Sequence, residues 1–264
     1  MLVRSIIFSL SAMAFSGRIP SRRALAAVAK LCGRRPTRRW PFLPRANEEN
    51  LNLQFNDLVE FQYARSRKFF ALVVGAFDGI ENDPTGDFIK KRRCRAILVE
   101  PQPGSFKRLR ENMRWRENII LVNAAIDEVS GFRNLFCVSS GGDELPAWVE
   151  QLASFQKEHI LNQEDKVPGI SKHLVVHKVP TVSFEDLLDR YGVGSIDLLQ
   201  IDAEGMDAQL LAWFPFERAK PALLHYETVH MSAKEKGMVR DRLKGLGYII
   251  RNSDSPTDDM AILF

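Results

Sequence analysis

The sequence predicts an α/β fold: a mostly parallel, doubly wound sheet of seven strands, with an antiparallel hairpin at the C-terminus and an inserted lid-like region. From residue 69 onward, short apolar runs alternate with amphipathic segments. Such continuous apolar runs are typical of parallel strands that are buried on both faces. The last two runs are joined by a short link through Asp254, Pro256 and Asp258, which favours an antiparallel pair.

The elements follow from periodicity and end signals. Strands are predicted at residues 69–75, 95–101, 118–127, 195–205, 221–230, 248–252 and 259–264. Helices are predicted at residues 51–68, 105–115, 183–192, 206–214 and 233–247. The third of these helices has the clearest ends, because Ser183 can cap its first turn and Gly192 can end it.

One region interrupts the alternation. Phe132–Val138 and Leu174–Val182 are predicted as extra strands, and an amphipathic helix is predicted at roughly Leu145–Ile160. Insertions of this size in an α/β domain usually cover a binding site. Residues 139–172 are therefore predicted to form a lid.

The first 48 residues form a separate, basic extension, and residues 49–264 form the folded domain. No acidic residue precedes Glu48, whereas the remainder is slightly acidic. A solvated tail, a signal or transit peptide and a surface-bound amphipathic helix are all compatible with this composition. We expect a cytoplasmic protein with membrane contact through the extension as an alternative, and no nucleic-acid partner.

The three cysteines, Cys32, Cys94 and Cys137, are too few and too far apart for a disulfide framework. Their use fits a reducing compartment.

In doubly wound sheets, ligands bind beyond the carboxyl ends of the strands. The first strand ends in Gly75, Ala76, Phe77, Asp78 and Gly79, where glycines allow a sharp turn and close approach to a ligand. The spacing is G-x-x-x-G, unlike the G-x-G-x-x-G of dinucleotide enzymes, and an ordinary loop is the alternative.

Acidic residues end the next strands. Glu100 follows the second strand and can accept hydrogen bonds from both hydroxyls of a ribose; a surface glutamate is the alternative. Asp127 follows the third and suits an adenine amino group, unless it only occupies a turn beside Gly131. Asp202 and Glu204 end the fourth, where strand alternation would direct both side chains to one face. They are candidates for a general base, with helix capping by Asp202 as the alternative.

The fifth strand carries His225 and Glu227, with His230 just after it. Any of these can accept a hydroxyl proton, and a hydrogen-bonded pair at a strand end is the alternative. The three residues are also a conceivable metal set, but we assign no metal to the sequence.

Four strings carry a resemblance: VVGAFDGIENDP, ILVEPQPGSFKRLRENMRWRENIILVNAAID, TVSFEDLLDRYGVGSIDLLQIDAEGMDAQLL and PALLHYETVH. In this order they resemble the FkbM-type methyltransferases, a branch of the class I family with a Rossmann-like core. The resemblance implies S-adenosylmethionine as cofactor and transfer to a hydroxyl of a sugar, glycan, lipid or secondary metabolite. It implies Gly75, Asp78 and Gly79 at the methionine part, Glu100 at the ribose, Asp127 near the adenine, and Asp202 and Glu204 beside the methyl group.

The full set of expected cofactor contacts is Gly75, Ala76, Phe77, Asp78, Gly79, Glu100, Pro101, Gln102, Ala125, Asp127 and Asp202. The catalytic candidates are Asp202, Glu204, His225, Glu227 and His230. Two positions depart from the class I pattern: Val73 stands where an acid is common, and Phe77 where an asparagine-like residue is usual. The alternatives are a weak or inactive member that serves as a nucleotide- or membrane-binding module, and a dehydrogenase-type nucleotide-binding enzyme.

Overall fold

The structure, a computed structural model, describes residues 55–263 apart from 82–84, 93, 115, 140–144 and 253–255. The chain divides into two units, residues 1–67 and residues 68–263. The predicted extension at residues 1–48 and its boundary lie outside the described residues. Among the residues that are described, no helix has the length and apolar character needed to cross a bilayer.

The described part of the first unit is helix α1, Phe55–Arg65. Asp57 lies in its first turn and Arg65 in its last, so both charges oppose the helix dipole favourably. The helix was predicted to begin at residue 51, and residues 51–54 are not described.

The described residues of the second unit form eleven strands: β1 Phe70–Val74, β2 Arg95–Val99, β3 Ile119–Val122, β4 Ala125–Ile126, β5 Gly131–Val138, β6 Ala153–Ser154, β7 Leu174–Val182, β8 Leu198–Ile201, β9 Leu223–Glu227, β10 Ile249–Asn252 and β11 Asp258–Ile262. They also form helices α2 Gly86–Arg92, α3 Pro103–Met113, α4 Lys157–Leu161, α5 Phe184–Arg190, α6 Asp207–Trp213 and α7 Ala233–Gly245. Short 3₁₀ helices cover Ala147–Gln151 and Ile170–His173. Helix α2 was not predicted.

Seven strands form one sheet in the order β10-β11-β9-β8-β1-β2-β3. The pairs from β9 to β3 are parallel, and β11 is antiparallel to both of its neighbours. This confirms the predicted doubly wound sheet and its C-terminal hairpin. The hairpin's final strand is the inner one: β11 is mostly buried, whereas β10 is half-exposed and forms the edge.

The core of this sheet lies around β1, in which all five residues are buried. Phe184 of α5 and Phe214 after α6 contact each other edge to face, with ring centres 5.0 Å apart.

As predicted, the Ser183 hydroxyl caps α5 by accepting a hydrogen bond from the backbone N–H of Asp186. Helix α7 begins with a capping box formed by Ser232 and Glu235.

A second sheet has the order β4-β7-β5-β6. Its centre is the antiparallel pair of β5 and β7, which confirms the two extra strands predicted from the sequence. The predicted third strand is divided between the sheets: Ile119–Val122 pairs with β2, and Ala125–Ile126 pairs with β7. The division occurs at Asn123, whose side-chain amide donates a hydrogen bond to the backbone oxygen of Glu100.

The continuous helix predicted at Leu145–Ile160 is wrong. The segment contains a 3₁₀ helix, the short strand β6 and helix α4. Strand β6 interrupts the helix because its backbone pairs with that of β5, a contact that is distant in sequence. The apolar residues still form one cluster, which consists of Val138, Val149, Leu152, Ile160, Val167 and Ile170.

Candidate functional site

A cleft of about 890 Å³, including the part open to solvent, lies beyond the carboxyl ends of β1, β2 and β8. The strand order reverses between β1 and β8, which is where doubly wound sheets bind ligands. The lining from the main sheet and its loops comprises Val74, Gly75, Ala76, Phe77, Glu81, Val99, Glu100, Pro101, Gln200, Asp202, Ala203, Glu204, Met206 and Leu210. The lining from the second sheet and the segments beside it comprises Ala124, Ala125, Ile126, Leu135, Gln151, Ala153, Ser154 and Phe155.

Gly75 lies at the point where the loops after β1 and β8 meet. Its φ is +81°, and a β carbon added there would lie 1.6 Å from the backbone oxygen of Asp202. The backbone N–H of Gly75 donates to Val99 O at 3.0 Å, and that of Asp202 donates to Val74 O at 2.9 Å. Only glycine fits this position, because any side chain would overlap the opposite backbone.

Glu100 connects the loops after β1 and β2. Its Oε2 accepts a hydrogen bond from the backbone N–H of Phe77 at 2.9 Å, and its Oε1 accepts one from Gln102 at 2.8 Å. Burial raises the pKa of this carboxyl to about 7, against the effect of the two backbone donors and Arg108. Each carboxylate oxygen has a second lone pair, so Glu100 can still accept hydrogen bonds from a ligand in the cleft.

Phe77 adopts φ +46°, a left-handed conformation that is unusual for a large side chain. The Arg108 guanidinium lies 4.9 Å from the centre of its ring and also pairs with Glu150 of the inserted region at 3.1 Å. These contacts hold Phe77 in the conformation that lets its backbone N–H reach Glu100.

Four residues expected at the cofactor are not among the described residues that line the cleft: Asp78, Gly79, Gln102 and Asp127. The Asp78 carboxylate accepts hydrogen bonds from the backbone N–H groups of Ile80 and Glu81, each at 2.8 Å. Gly79, with φ +72°, provides space for the side chains of helix α3. The Gln102 side chain accepts a hydrogen bond from the Ser105 hydroxyl at the start of that helix. These side chains shape the loops around the cleft.

Ala125 lines the cleft, but Asp127 is not among the lining residues that the structure describes. The Asp127 carboxylate pairs with Arg133 at 3.0 Å, and Arg133 lies 4.0 Å from the centre of the Phe155 ring. Phe155 does line the cleft. Asp127 therefore supports the wall through Arg133 and Phe155.

Asp202 and Glu204 both line the cleft, although not for the predicted reason. Strand alternation was expected to direct them to one face, but β8 ends at Ile201 and Glu204 has φ +48°. The capping role considered for Asp202 is also wrong, because the N-cap of α6 is Met206. The loop after β8, rather than the strand, brings both carboxylates to the cleft.

Further carboxyl groups lie behind this loop. Burial, together with repulsion from the nearby Asp202 and Asp207, raises the pKa of Glu227 to about 10. Burial likewise raises the pKa of Asp207 to about 7. Repulsion therefore disfavours the simultaneous ionisation of all the carboxyl groups around this loop.

The two histidines of β9 and its end have different surroundings. His225 is buried, its Nε2 lies 3.8 Å from Asp258, and burial lowers its pKa to about 4. It is not among the described residues that line the cleft, so the structure does not support its expected catalytic role. His230 lies 3.4 Å from Glu204 and 3.8 Å from Glu227, measured from its Nε2 to the nearer carboxylate oxygen.

The sequence prediction missed several lining residues. Gln151, Ser154 and Phe155 belong to the inserted region, and Leu135 belongs to β5; nothing in their local pattern distinguishes them from ordinary surface or core positions. Gln200 had a usable signal, because it is a single polar residue in an otherwise apolar strand. It lies in register with Val73, the position where an acid is common in class I enzymes.

Comparison with known proteins gave one match to a family model, the methyltransferase FkbM domain, over residues 74–250. No curated protein matched the chain. Among solved structures, an FkbM methyltransferase from Methylobacillus flagellatus KT is 14% identical with a TM-score of 0.44. The alignment covers 76% of this chain and 46% of that one, so this chain spans less than half of that protein's length.

Two other solved structures are similar at comparable levels. A fibrillarin pre-rRNA processing protein from Methanococcus jannaschii is 12% identical with a TM-score of 0.36, over 75% of this chain and 67% of that one. A precorrin-6y C5,15-methyltransferase from Geobacter metallireducens GS-15 is 11% identical with a TM-score of 0.34, over 74% and 78%.

Proposed function

The chain belongs to the FkbM methyltransferase family, and from this membership we propose that it transfers the methyl group of S-adenosylmethionine to a hydroxyl oxygen of a sugar, glycan, lipid or secondary metabolite. The observation that carries the proposal is the cleft at the strand-order reversal, where Gly75, Glu100 and Asp202 lie around one space. A dehydrogenase-type function is less well supported, because the loop after β1 lacks the G-x-G-x-x-G spacing.

The residues present fit the cofactor. Gly75 lines the cleft at the loop after β1, where backbone without a side chain suits the methionine part. The Glu100 carboxylate suits the two ribose hydroxyls, and the apolar surface of Ala124, Ala125 and Ile126 suits the adenine ring. When bound, S-adenosylmethionine supplies an electrophilic methyl group on a sulfonium.

The remaining work falls to the chain's own side chains. We assign the base to Asp202, because it lines the cleft, whereas Glu204 is paired with His230 at 3.4 Å and Glu227 is not among the described lining residues. Asp202 would take the proton of the acceptor hydroxyl while the hydroxyl oxygen forms a bond to the methyl carbon. The bond between the methyl carbon and sulfur would break at the same time, and its electron pair would go to sulfur. Such a base contributes roughly 10²–10⁴-fold to a rate, and alignment of the reactants contributes several further orders of magnitude.

The inserted region would hold the acceptor. Gln151, Ser154 and Phe155 line the cleft from the inserted region and offer both polar and aromatic contacts. This pattern suits an acceptor with hydroxyl groups and an apolar face, as sugars and many secondary metabolites have.

Isothermal titration of the purified chain with S-adenosylhomocysteine and with NAD tests the cofactor. We expect saturable binding of S-adenosylhomocysteine and weaker or undetectable binding of NAD. The reverse order of affinities would exclude the methyltransferase assignment.

A panel of hydroxyl and amine acceptors with a radiolabelled methyl donor tests the reaction. We expect label on hydroxyl acceptors and its loss in Asp202→Asn with cofactor affinity retained. Label on amines alone would contradict the proposed acceptor group.

A further inference from the structure

Two of the chain's five histidines meet at the edge of the cleft. His159 lies in helix α4 of the inserted region, and His230 lies just after β9. Their ring centres are 4.6 Å apart and their planes are inclined by 69°. Glu204 lies beside them, on the loop after β8. Three segments that are distant in sequence therefore bring two imidazoles and one carboxylate to the same place.

The donor atoms of these side chains are close enough to share an ion. One ligand atom from each of His159, Glu204 and His230 lies within 4.8 Å of the others, and His230 Nε2 is 3.4 Å from the Glu204 carboxylate. Ligands of a tetrahedral zinc ion, each about 2.0–2.2 Å from the metal, lie roughly 3.3–3.6 Å from one another. Small side-chain rotations would bring all three donors into this range.

Buried atoms without partners support the same arrangement. The Nε2 atom of His159 and the Oε2 atom of Glu227 are buried, and no described residue forms a hydrogen bond with either. Buried polar atoms of this kind are rare and often indicate a missing water or ion. Glu227 Oε2 lies 3.8 Å from His230 Nε2, so it belongs to the same group of atoms.

The backbone of the loop after β8 is shaped around the histidines. Gly205 has φ +98°, and a β carbon added there would lie 3.0 Å from Cε1 of His159 and 3.5 Å from Cβ of His230. Glu204, just before it, also has a positive φ of 48°. Glycine adopts such a φ without strain, whereas the left-handed conformation of Glu204 costs free energy and is found most often at functional sites.

We infer that His159, Glu204 and His230 bind one divalent transition-metal ion, with Glu227 as an additional nearby ligand. Two imidazoles and a carboxylate favour Zn²⁺, Mn²⁺ or Fe²⁺ over Mg²⁺ and Ca²⁺, which prefer oxygen ligands. The ion would offset the carboxyl groups gathered behind the loop after β8 and would fasten the inserted region to the strand ends.

The ion's position relative to the cleft suits it to contact the acceptor. Glu204 also lines the cleft, so the ion would lie at its edge, within reach of an acceptor that contacts the inserted region. A divalent ion there would orient an acceptor hydroxyl and make its proton easier to remove by Asp202. This use rests on the proposed methyl transfer, whereas ion binding itself does not.

The alternative is a purely internal contact of His230 with the carboxyl groups of Glu204 and Glu227. This arrangement leaves His159 Nε2 buried without a described partner. It also predicts no saturable binding of a metal ion, so the two interpretations can be distinguished directly.

The test is isothermal titration of the full chain, first stripped with a chelator, using ZnCl₂ and MnCl₂. We expect about one ion per chain for at least one of the two metals, and at least a 10-fold loss of affinity in both His159→Gln and His230→Gln. The matched control is His177→Gln, since His177 is exposed on β7 and lies outside the group; its affinity should equal that of the wild type. Absence of a saturable site, or equal weakening in the control, would overturn the inference.

Cobalt spectroscopy identifies the ligands independently. Co²⁺ bound to nitrogen and oxygen ligands should give visible d–d bands without the intense near-ultraviolet band of a cobalt–thiolate bond. A strong thiolate band would assign the ion to cysteine and contradict the inferred site.

Titration of the same samples with S-adenosylhomocysteine separates the two proposals. Retained nucleoside binding without metal binding refutes the metal site alone, and the opposite result refutes the proposed function alone.

Discussion

A β carbon on Gly75 would lie 1.6 Å from the backbone oxygen of Asp202, closer than any two non-bonded atoms can come. This contact joins the loop after β1 to the loop after β8 and fixes the floor of the cleft. The two loops cannot separate by the width of one methyl group without loss of the backbone hydrogen bonds beside them.

Gly75→Ala should therefore destabilise the protein strongly. We expect a loss of at least about 3 kcal/mol in the free energy of unfolding, since backbone rather than a movable side chain blocks the new atom. Urea denaturation followed by circular dichroism measures it. The matched control is Gly194→Ala, where nothing lies within 4 Å of the added atom; its stability should change by less than about 1 kcal/mol. Equal effects of the two substitutions would contradict the steric argument.

Glu100→Gln should weaken the binding of S-adenosylhomocysteine. The substitution keeps the shape of the side chain but replaces one acceptor oxygen with a donor, so a charge-assisted hydrogen bond to the ribose is lost. Bonds to charged groups contribute about 1.5–3 kcal/mol, which corresponds to roughly 10- to 150-fold in affinity. Isothermal titration measures the change, and Glu128→Gln, at an exposed site outside the cleft, is the control. Unchanged affinity in Glu100→Gln would remove Glu100 from the cofactor site.

The affinity for S-adenosylhomocysteine should also rise with pH. Burial raises the pKa of Glu100 to about 7, and the ribose needs the ionised form. Between pH 6 and pH 8 the ionised fraction grows about 10-fold, so the affinity should rise by about the same factor. In Glu100→Gln this rise should be absent. A wild-type affinity that is flat over this range would show that Glu100 does not titrate in the free protein.

The same pKa has the opposite effect on folding. A folded-state pKa above the unfolded value means that the native protein holds a proton which the unfolded chain has already released. The contribution of Glu100 to stability should therefore decrease as pH rises from about 4.5 to about 7. Urea denaturation at several pH values should show a smaller decrease in Glu100→Gln than in the wild type. A larger decrease in the variant would reverse the assigned sign.

Arg240→Met should destabilise the C-terminal hairpin. The guanidinium donates to both carboxylate oxygens of Asp259, with Nε–Oδ2 3.0 Å and Nη2–Oδ1 3.1 Å, and the Asp259 side chain is only 6% exposed. Removal of the partner leaves a buried charge, at a cost of about 1–3 kcal/mol. Lys91→Met is the control, because its pair with Asp87 is exposed and should contribute nothing measurable. Thermal unfolding that ranks the two variants in the reverse order would be inconsistent with this account.

The sheet could be predicted from the sequence because its strands are buried on both faces, and burial leaves a local record in apolar runs such as Phe70–Val74. Glu100 and Asp202 could be located for the same reason, since Glu100 directly follows such a run and Asp202 directly follows a run that only Gln200 interrupts. The inner position of β11 was not predictable in this way, because the choice between two hairpin strands depends on which buries more surface against β9.

The inserted region resisted prediction for a different reason. Its apolar residues have helical spacing, but strand β6 pairs with β5 and prevents a continuous helix. Such pairing is made by backbone groups, which every residue carries. The local pattern of residue types therefore does not predict it. The meeting of His159 with His230 is likewise a product of tertiary structure. The sequence grouped His230 with His225 and Glu227 as a conceivable metal set, whereas in the structure His225 Nε2 lies 3.8 Å from Asp258.

The division of one apolar run at Asn123 has a mechanical consequence. Ala125 and Ile126, which line one wall of the cleft, are hydrogen-bonded through β7 and β5 to the strand that carries Ser154 on another wall. Neither wall can shift as an independent flap. A change engineered into β6 to admit a bulkier acceptor would be transmitted through the hydrogen bonds of β5 and β7 to the surface proposed for adenine. Variants selected for a new acceptor should therefore also change in their affinity for the nucleoside.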